Sequence, residues 1–257
     1  MRLANRTREV EFFKKMLRGE IAQRILLIQA ASGMGKTSLL TEFASLCPVH
    51  AEAAVLIKID LKSAQTGIAF IFSRLQRRLG EEKFSNFNKA LSSFLSAGVE
   101  VSDNEIGGTE NQIQVILNAE SEEARNFRLS KLQEAFFRDL QAVKKPIVII
   151  IDTFNSAPAS VADWVGGGFL VEVADVPNIR VVIAGQTVPK TSFEWDDLAE
   201  THCLDKIDDI EAWYLFTQAK NFPFEREAVK AFVRCFQGNP DAIVKIFEAQ
   251  AGGWKHE

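Results

Sequence analysis

The residues with the clearest chemical potential follow an apolar segment early in the chain. Residues 25–28 are apolar, and residues 30–37 have the sequence Ala-Ala-Ser-Gly-Met-Gly-Lys-Thr, after which a helical pattern begins. Gly33 and Gly35 allow the backbone to curl so that amide N–H groups point at phosphate oxygens, and the helix dipole adds to the attraction. Lys36 supplies a full positive charge for the β and γ phosphates. The segment therefore predicts a binding site for the phosphates of a nucleotide.

This loop matches the pattern G-x-x-x-x-G-K-[ST], except that Ala30 replaces the first glycine. Ser32 and Met34 lie within the loop and are expected to contact the nucleotide, and Ser38 is expected at the α phosphate. Thr37 places a hydroxyl group where it can bind Mg²⁺. A glycine-containing turn beside a surface lysine is the alternative interpretation. The flanking strand and helix, together with an acidic residue further along the chain, argue against that alternative.

That acidic residue is Asp152, which directly follows the apolar segment 147–151. A carboxylate at the tip of a strand that faces a phosphate loop holds Mg²⁺ through water. An aspartate at a strand end can instead cap a turn, but beside a phosphate loop the metal role is the better interpretation. Thr37 and Asp152 are therefore the predicted metal ligands, and Lys36 and Asp152 are predicted to be catalytic.

A further apolar run, residues 179–184, ends in the polar sequence Gly185-Gln186-Thr187. If this run is a parallel strand, its end emerges at the same sheet edge as the phosphates. Gln186 either senses the γ phosphate or orients water, or it is a solvated loop residue. Both interpretations remain open.

The alternation of strand and helix patterns predicts a doubly wound α/β fold with a mainly parallel sheet. Strands are predicted at residues 25–28, 55–59, 147–151 and 179–184, with a weak strand at 203–207. Helices are predicted at residues 8–18, 37–46, 68–79, 84–95 and 122–143, and Pro48 is expected to end the second of these.

Beyond residue 207 the pattern is helical only, at residues 210–219, 225–236 and 240–250. We therefore predict a nucleotide-binding α/β domain over residues 1–207 and a small helical lid domain over 208–257. The polar stretch 98–121 has no clear period and is predicted to be a loop or insertion.

The composition excludes several classes of protein. The 257 residues are 47% apolar, and 30 basic against 34 acidic residues give a net charge of −4, so no general attraction to nucleic acid or acidic membranes is expected. Charged residues begin near the N-terminus, which therefore lacks the apolar core of a signal peptide. No apolar stretch is long enough for a membrane helix, and together these features predict a soluble, cytoplasmic protein. Cys47, Cys203 and Cys235 lack the spacing of a zinc site or disulfide framework and are expected to be reduced, mostly buried thiols.

Four motifs together resemble the signal transduction ATPases with numerous domains (STAND), a branch of the AAA+ and related P-loop ATPases that includes NACHT and NB-ARC modules. They are the entry sequence Asn-Arg-Thr-Arg-Glu at residues 5–9, the phosphate loop, the segment Ile-Ile-Ile-Asp-Thr-Phe that contains Asp152, and Gly238-Asn239-Pro240. The resemblance covers nearly the whole chain.

The resemblance implies that the cofactors are ATP or ADP with Mg²⁺, that Arg6 lies near the adenine and that Pro240 packs against it. It also implies a five-stranded sheet in which the strand before Gln186 lies between the phosphate-loop strand and the Asp152 strand. The resemblance further implies a closed state that is held by ADP and an oligomer-forming state that is held by ATP. No Asn-Lys-x-Asp element follows the sensor strand, which makes GTP the less favoured nucleotide.

This sequence departs from the family pattern at two positions. Many relatives have a glutamate where this chain has Asn155, and an amide can orient water but cannot accept its proton at neutral pH. Relatives often have an arginine where this chain has Gln186, so a fixed positive charge near the γ phosphate is missing. We therefore expect slow hydrolysis, or ATP binding with little turnover.

The leading hypothesis is a regulatory switch in which ATP·Mg²⁺ controls the binding of a protein partner or nucleotide-dependent homo-oligomerisation. A P-loop kinase that acts on a small molecule is the first alternative, although Arg226 and Arg234 are the only arginines of the helical tail. A non-catalytic scaffold that keeps its nucleotide as a structural cofactor is the second. An effector or sensor domain is not evident, and whether the chain is a fragment or works with separate partners stays open.

Overall fold

A computed structural model of the chain describes residues 3–51, 54–62, 67–96, 108–118 and 121–253. The strands are β1 (Ile25–Gln29), β2 (Val55–Asp60), β3 (Ile147–Asp152), β4 (Ile179–Gly185) and β5 (Ala199–Cys203). The longer helices are α1 (Thr7–Arg18), α2 (Lys36–His50), α3 (Ile68–Leu79), α4 (Ser85–Ser96), α5 (Gly108–Leu117), α6 (Glu122–Ala142), α7 (Ala159–Trp164), α8 (Leu170–Ala174), α9 (Ile210–Ala219), α10 (Arg226–Cys235) and α11 (Pro240–Gly253). Among the described residues, none of the helices combines the length and the apolar character needed to cross a membrane.

The strands form one five-stranded sheet in the order β2-β3-β4-β1-β5, and every pair is parallel. The predicted fold class is therefore confirmed, and β4 does lie between the phosphate-loop strand β1 and the Asp152 strand β3. Because the strands are parallel, their carboxyl ends meet at one edge of the sheet. Gln29 pairs with Gly185 and Asp60 pairs with Asp152 at that edge.

Both faces of the sheet are covered, which explains why the central strands are continuous apolar runs. On one face, α1 and α2 pack against alternate strand residues such as Leu26, Val148 and Val182. On the other face, α3 to α8 pack against the intervening residues, which include Leu27 and Ile149. Membership of one apolar cluster or the other therefore shows toward which face of the sheet a strand residue points.

A third apolar cluster lies in the C-terminal helices and is built from α9, α10 and α11. Its largest side chains, Trp213 and Phe247, lie edge to face with ring centroids 6.0 Å apart. The cluster also includes Ile207 and Ala4, so residues outside the predicted 208–257 lid contribute to its core. The division of the chain into two domains stays a prediction.

Several boundaries differ from the prediction. The fifth strand is Ala199–Cys203 instead of residues 203–207. It lies at the edge of the sheet, where a strand needs few apolar residues. The apolar Leu204 follows the strand and packs in the cluster that contains α1 and α2. Helix α2 continues through Pro48 to His50, since a proline in the last turn costs only one helical hydrogen bond. Cys203 and Cys235 are exposed, so the expectation of mostly buried thiols is correct only for Cys47.

Two helical segments are absent from the prediction. Helices α7 and α8, joined by a π-helical turn over Val165–Phe169, form a segment that the glycine run at 166–168 hides from sequence patterns. Burial of Trp164 and Phe169 against the sheet overrides that low propensity. Helix α5 occupies part of the stretch 98–121 that is predicted to be a loop or insertion, and residues 97–107 and 119–120 lie outside the described residues.

Gly238 offers a test of how firmly the C-terminal helices are anchored. Its φ is +69°, and an added Cβ would lie 3.0 Å from the Ile207 carbonyl and collide with the Asp208 carboxylate. We expect Gly238→Ala to lower the free energy of unfolding by about 2–4 kcal/mol, because backbone strain and overpacking combine. Urea denaturation measures this change.

Gly167→Ala is the matched control, because nothing lies within 4 Å of a Cβ added there. As a helical substitution it should leave stability unchanged or raise it by up to about 1 kcal/mol. Equal effects of the two substitutions would contradict the proposed constraint at Gly238.

Candidate phosphate and metal site

The turn between β1 and α2 has the geometry that the glycine pattern predicts. Gly33 and Gly35 adopt φ values of +79° and +83°, a region that side-chain-bearing residues rarely enter. Helix α2 begins at Lys36, directly after the second of these glycines. The loop therefore presents its backbone at a helix N-terminus, the arrangement that binds phosphate oxygens.

The ammonium group of Lys36 lies over this loop. Its Nζ donates to the carbonyl oxygens of Ala30 and Ala31 at 2.7 and 2.8 Å. Burial lowers the pKa of Lys36 from its ordinary value, and the nearby carboxylate of Asp152 opposes the shift. A partly desolvated cation held against the phosphate loop is suited to bind a phosphate anion.

Thr37 and Asp152, the predicted metal ligands, are in direct contact. The Thr37 hydroxyl donates to Asp152 Oδ2 at 2.9 Å, and the Thr153 amide donates to Asp152 Oδ1 at 2.7 Å. A hydroxyl and a carboxylate are the oxygen ligands that Mg²⁺ prefers, and Mg²⁺ commonly takes its other ligands from phosphates and water. These residues fit a magnesium ion next to the loop.

Arg6 reaches the outer side of the same loop. Its Nη2 donates to the carbonyl oxygens of Met34 at 3.0 Å and Asp205 at 2.8 Å. Burial lowers the pKa of Arg6, and the charges of Glu9 and Asp205 oppose the shift. Arg6 thus joins the phosphate loop to the segment after β5, and its contact with adenine stays a prediction.

The start of α11 packs directly on the loop. The Asp241 amide donates to the Gly33 carbonyl at 3.0 Å, and Asn239 Oδ1 lies 3.3 Å from the position of a Cβ added at Gly33. Pro240 Cβ lies 3.9 Å from the corresponding position at Gly35. The Gly-Asn-Pro motif and the phosphate loop are therefore neighbours, although they are about 200 residues apart in the sequence.

The structure also brings together the two residues that depart from the family pattern. The backbone N–H of Gln186 donates to Asn155 Oδ1 at 2.9 Å, and Gln29 Nε2 donates to the backbone carbonyl of Gln186 at 3.2 Å. Both side chains are exposed at the edge of the sheet that carries the phosphate loop. Their roles as water-positioning residue and sensor stay predictions.

The other residues predicted to contact the nucleotide differ in the accessibility of their side chains. Ser32 and Ser38 are exposed, so their hydroxyl groups are accessible to a ligand. The Met34 side chain is buried in the apolar cluster beneath α2. Any contact of Met34 with a nucleotide must therefore come from its backbone.

A cavity of about 370 Å³ with a mixed polar and apolar lining adjoins Thr37 and Asp152 and was not predicted. Its lining is Thr37, Leu40, Thr41, Lys58, Ile59, Asp60, Phe70, Arg74, Ile150 and Asp152. The available sequence signal was β2 itself, where Lys58 and Asp60 interrupt an otherwise apolar strand. Both of these residues are exposed, which is ordinary for charged residues of a strand at the edge of a sheet.

The sequence profile described as the AAA ATPase domain matches residues 2–181 of this chain. The matched region contains the phosphate loop, Asp152 and the whole of β1 to β3. No protein of curated function matches the sequence.

Solved structures with low sequence identity share the fold. A STAND protein with a tetratricopeptide repeat sensor from Pyrococcus horikoshii is 15% identical, with a TM-score of 0.53 over 93% of this chain and 28% of its own. The Orc1 protein of Aeropyrum pernix, solved in complex with DNA, is 13% identical, with a TM-score of 0.52 over 99% of this chain and 62% of its own. Cdc6p from Pyrobaculum aerophilum is 12% identical, with a TM-score of 0.51 over 98% of this chain and 64% of its own. The chain thus spans less than two thirds of each of these proteins.

Substitution of Thr37 tests the metal site. Thr37→Val keeps the shape of the side chain and removes the hydroxyl group, so the Mg²⁺-dependent part of ATP affinity should fall by about tenfold, or about 1.4 kcal/mol. Calorimetric titration of ATP with Mg²⁺ and with a chelator measures this difference.

Thr41→Val is the matched control, since Thr41 lies one turn further along α2 and its hydroxyl donates to the Thr37 carbonyl at 2.8 Å. It should leave the effect of Mg²⁺ on ATP affinity unchanged. A Thr37→Val protein that gains as much from Mg²⁺ as the wild type would exclude Thr37 as a ligand.

Proposed function

The chain belongs to the AAA ATPase domain family, and from that premise we propose that it is an ATP·Mg²⁺-binding switch of the STAND type with weak hydrolysis. In this proposal the bound nucleotide sets the position of the C-terminal helices. Their position in turn controls the binding of a protein partner or of a second copy of the chain. The Lys36 loop supports the phosphate-binding part of the proposal, and Thr37 with Asp152 supports the part played by Mg²⁺.

The observation that carries the proposal is the contact between α11 and the phosphate loop. The hydrogen bond from the Asp241 amide to the Gly33 carbonyl ties the helical cluster to the residues that would surround the phosphates. A nucleotide with or without its γ phosphate would therefore meet different surroundings at this contact. A ligand shifts a conformational equilibrium only through such differential contacts.

Weak hydrolysis is proposed because of the residues at positions 155 and 186. Neither Asn155 nor Gln186 can take a proton from water at neutral pH or supply a positive charge to the γ phosphate. A slow turnover suits a switch, since the ATP-bound state must last long enough for a partner to bind.

The proposed partner is a protein and not nucleic acid. The Orc1 relative is bound to DNA in its structure, but at 13% identity that likeness bears on the fold alone. The net charge of −4 gives this chain no general electrostatic attraction to a nucleic acid backbone.

One observation favours phosphate transfer to a small molecule as a second candidate, namely the cavity beside Thr37 and Asp152. A kinase also needs cations that cover the phosphates. Of the two arginines in the C-terminal helices, Arg226 forms a surface ion pair with Glu211 at 2.8 Å, and Arg234 is exposed. Release of ADP that requires an added acceptor would favour the kinase over the switch.

Lys36→Ala tests the central claim. The charge-assisted hydrogen bonds of an ammonium group are worth about 1.5–3 kcal/mol, so ATP affinity should fall by roughly 10- to 100-fold. Equilibrium titration measures affinity for ATP and ADP, and light scattering measures the mass of the protein, alone or with an interacting protein, in each nucleotide state.

Lys190→Ala is the control, because Lys190 is an exposed lysine outside the loop. The switch predicts a change in mass or partner binding between the ADP and ATP states that Lys36→Ala abolishes and Lys190→Ala keeps. Tightly retained ADP that never exchanges would favour the structural-cofactor alternative. Folded wild-type protein that binds neither nucleotide would overturn the proposal.

A further inference from the structure

We propose that Asp60 is the carboxylate that activates the attacking water, and that the cavity beside Thr37 and Asp152 holds this water. The inference rests on the proposed function, because it requires ATP·Mg²⁺ in the phosphate loop. It assigns the weak hydrolysis to a residue of β2, outside the segment in which the family pattern would place it.

The first argument is the register of the sheet. Asp60 pairs with Asp152 in parallel strands, and neighbouring strands lie about 4.8 Å apart. Residues paired in this way point to the same face of the sheet. Because Val148 and Ile150 of β3 pack on the α2 side, the two-residue period puts Asp152 on that side as well. Asp60 therefore points toward α2, the helix that begins with Lys36 and Thr37.

The second argument is the cavity that these residues share. Asp60, Asp152 and Thr37 all line its wall. Its volume of about 370 Å³ is many times the ~10–15 Å³ that a cavity needs to hold one water molecule. The space is therefore large enough for water that reaches both Asp60 and the position of a γ phosphate next to Thr37.

Charged side chains of both signs line the cavity. Lys58 and Arg74 line the cavity together with Asp60 and Asp152, so two cations balance two anions. Within the described residues, Arg74 Nε is buried without a hydrogen-bond partner. A buried donor of this kind is normally satisfied by water or by a ligand.

The other polar residues at this edge of the sheet are less suited to take a proton from water. Asn155 Oδ1 accepts a hydrogen bond from the backbone N–H of Gln186. The side-chain amide of Asn155 cannot accept a proton at neutral pH. Asp152 accepts from Thr37 and Thr153 and is the carboxylate proposed for the metal. Asp60 Oδ1 accepts from the Lys62 amide at 3.0 Å, which anchors this carboxylate at the end of β2.

The step has a simple balance. A water oxygen forms a bond to the γ phosphorus, and the bond from that phosphorus to the oxygen bridging to the β phosphate breaks, with its electron pair passing to ADP. The Asp60 carboxylate takes the proton that the water loses, and later releases it to solvent. The products are ADP and inorganic phosphate. Lys36 and the loop amides stabilise the negative charge on the phosphates.

Asp60→Asn tests the assignment, because it keeps the shape of the side chain and removes its ability to accept a proton. General-base catalysis contributes about 10²–10⁴-fold, so the single-turnover rate of [γ-³²P]ATP hydrolysis should fall by at least about 100-fold. ATP affinity, measured by equilibrium titration, should change by less than about threefold, since Asp60 makes no proposed contact with the nucleotide. Asp60→Glu keeps the carboxylate and should recover part of the rate.

Asp163→Asn is the matched control, since Asp163 is an exposed carboxylate of α7 that does not line the cavity. It should hydrolyse ATP at the wild-type rate. If Asp60→Asn does so too, the assignment is overturned and the switch stands. Wild-type protein that binds ATP and releases no phosphate also overturns the assignment alone. Wild-type protein that does not bind ATP overturns the proposed function, and the assignment with it.

Discussion

Hydrogen bonds to the backbone of the loop at residues 30–36 join the loop to distant parts of the fold. The Ala30 amide donates to the Gly185 carbonyl of β4 at 3.0 Å, and the Gly33 carbonyl accepts from Asp241 at the start of α11. Arg6, near the start of the chain, donates to the Met34 carbonyl. The loop is thus held from both ends of the chain and from the middle of the sheet, so its shape depends on the complete fold.

The sequence predicted well whatever depends on local patterns. Central strands such as β1 and β3 are covered on both faces and must be apolar throughout, and the phosphate loop is a short motif with fixed spacing. The prediction failed where tertiary contacts decide, as in the polar edge strand β5 and in the glycine-containing helical turn Val165–Phe169. Contacts across large separations were also hidden, because the pairing of Asp60 with Asp152 follows from strand order, which no local pattern contains.

The two departures from the family pattern are related in space. Where relatives often have a glutamate and an arginine, this chain has Asn155 and Gln186, and the backbone N–H of Gln186 donates to Asn155 Oδ1. Two opposite charges have therefore been replaced by two neutral amides at adjacent strand ends. The hydrogen bond that joins the ends of β3 and β4 comes from the main chain of residue 186 and does not involve the Gln186 side chain. Both side chains are exposed and uncharged, so neither brings a charged group to this edge of the sheet.

The contact between Asp241 and Gly33 has a thermodynamic consequence that does not depend on the identity of the nucleotide. If nucleotide binding changes the position of α11, it also changes the affinity for a protein that binds α11 in one of its positions. Linkage requires that this protein changes the affinity for the nucleotide by the same factor. A partner that stabilises α11 away from Gly33 would then promote nucleotide exchange. A partner that stabilises the contact of α11 with Gly33 would inhibit nucleotide dissociation. Both kinds of regulator could work from the outer surface of a single helix, without touching the phosphates.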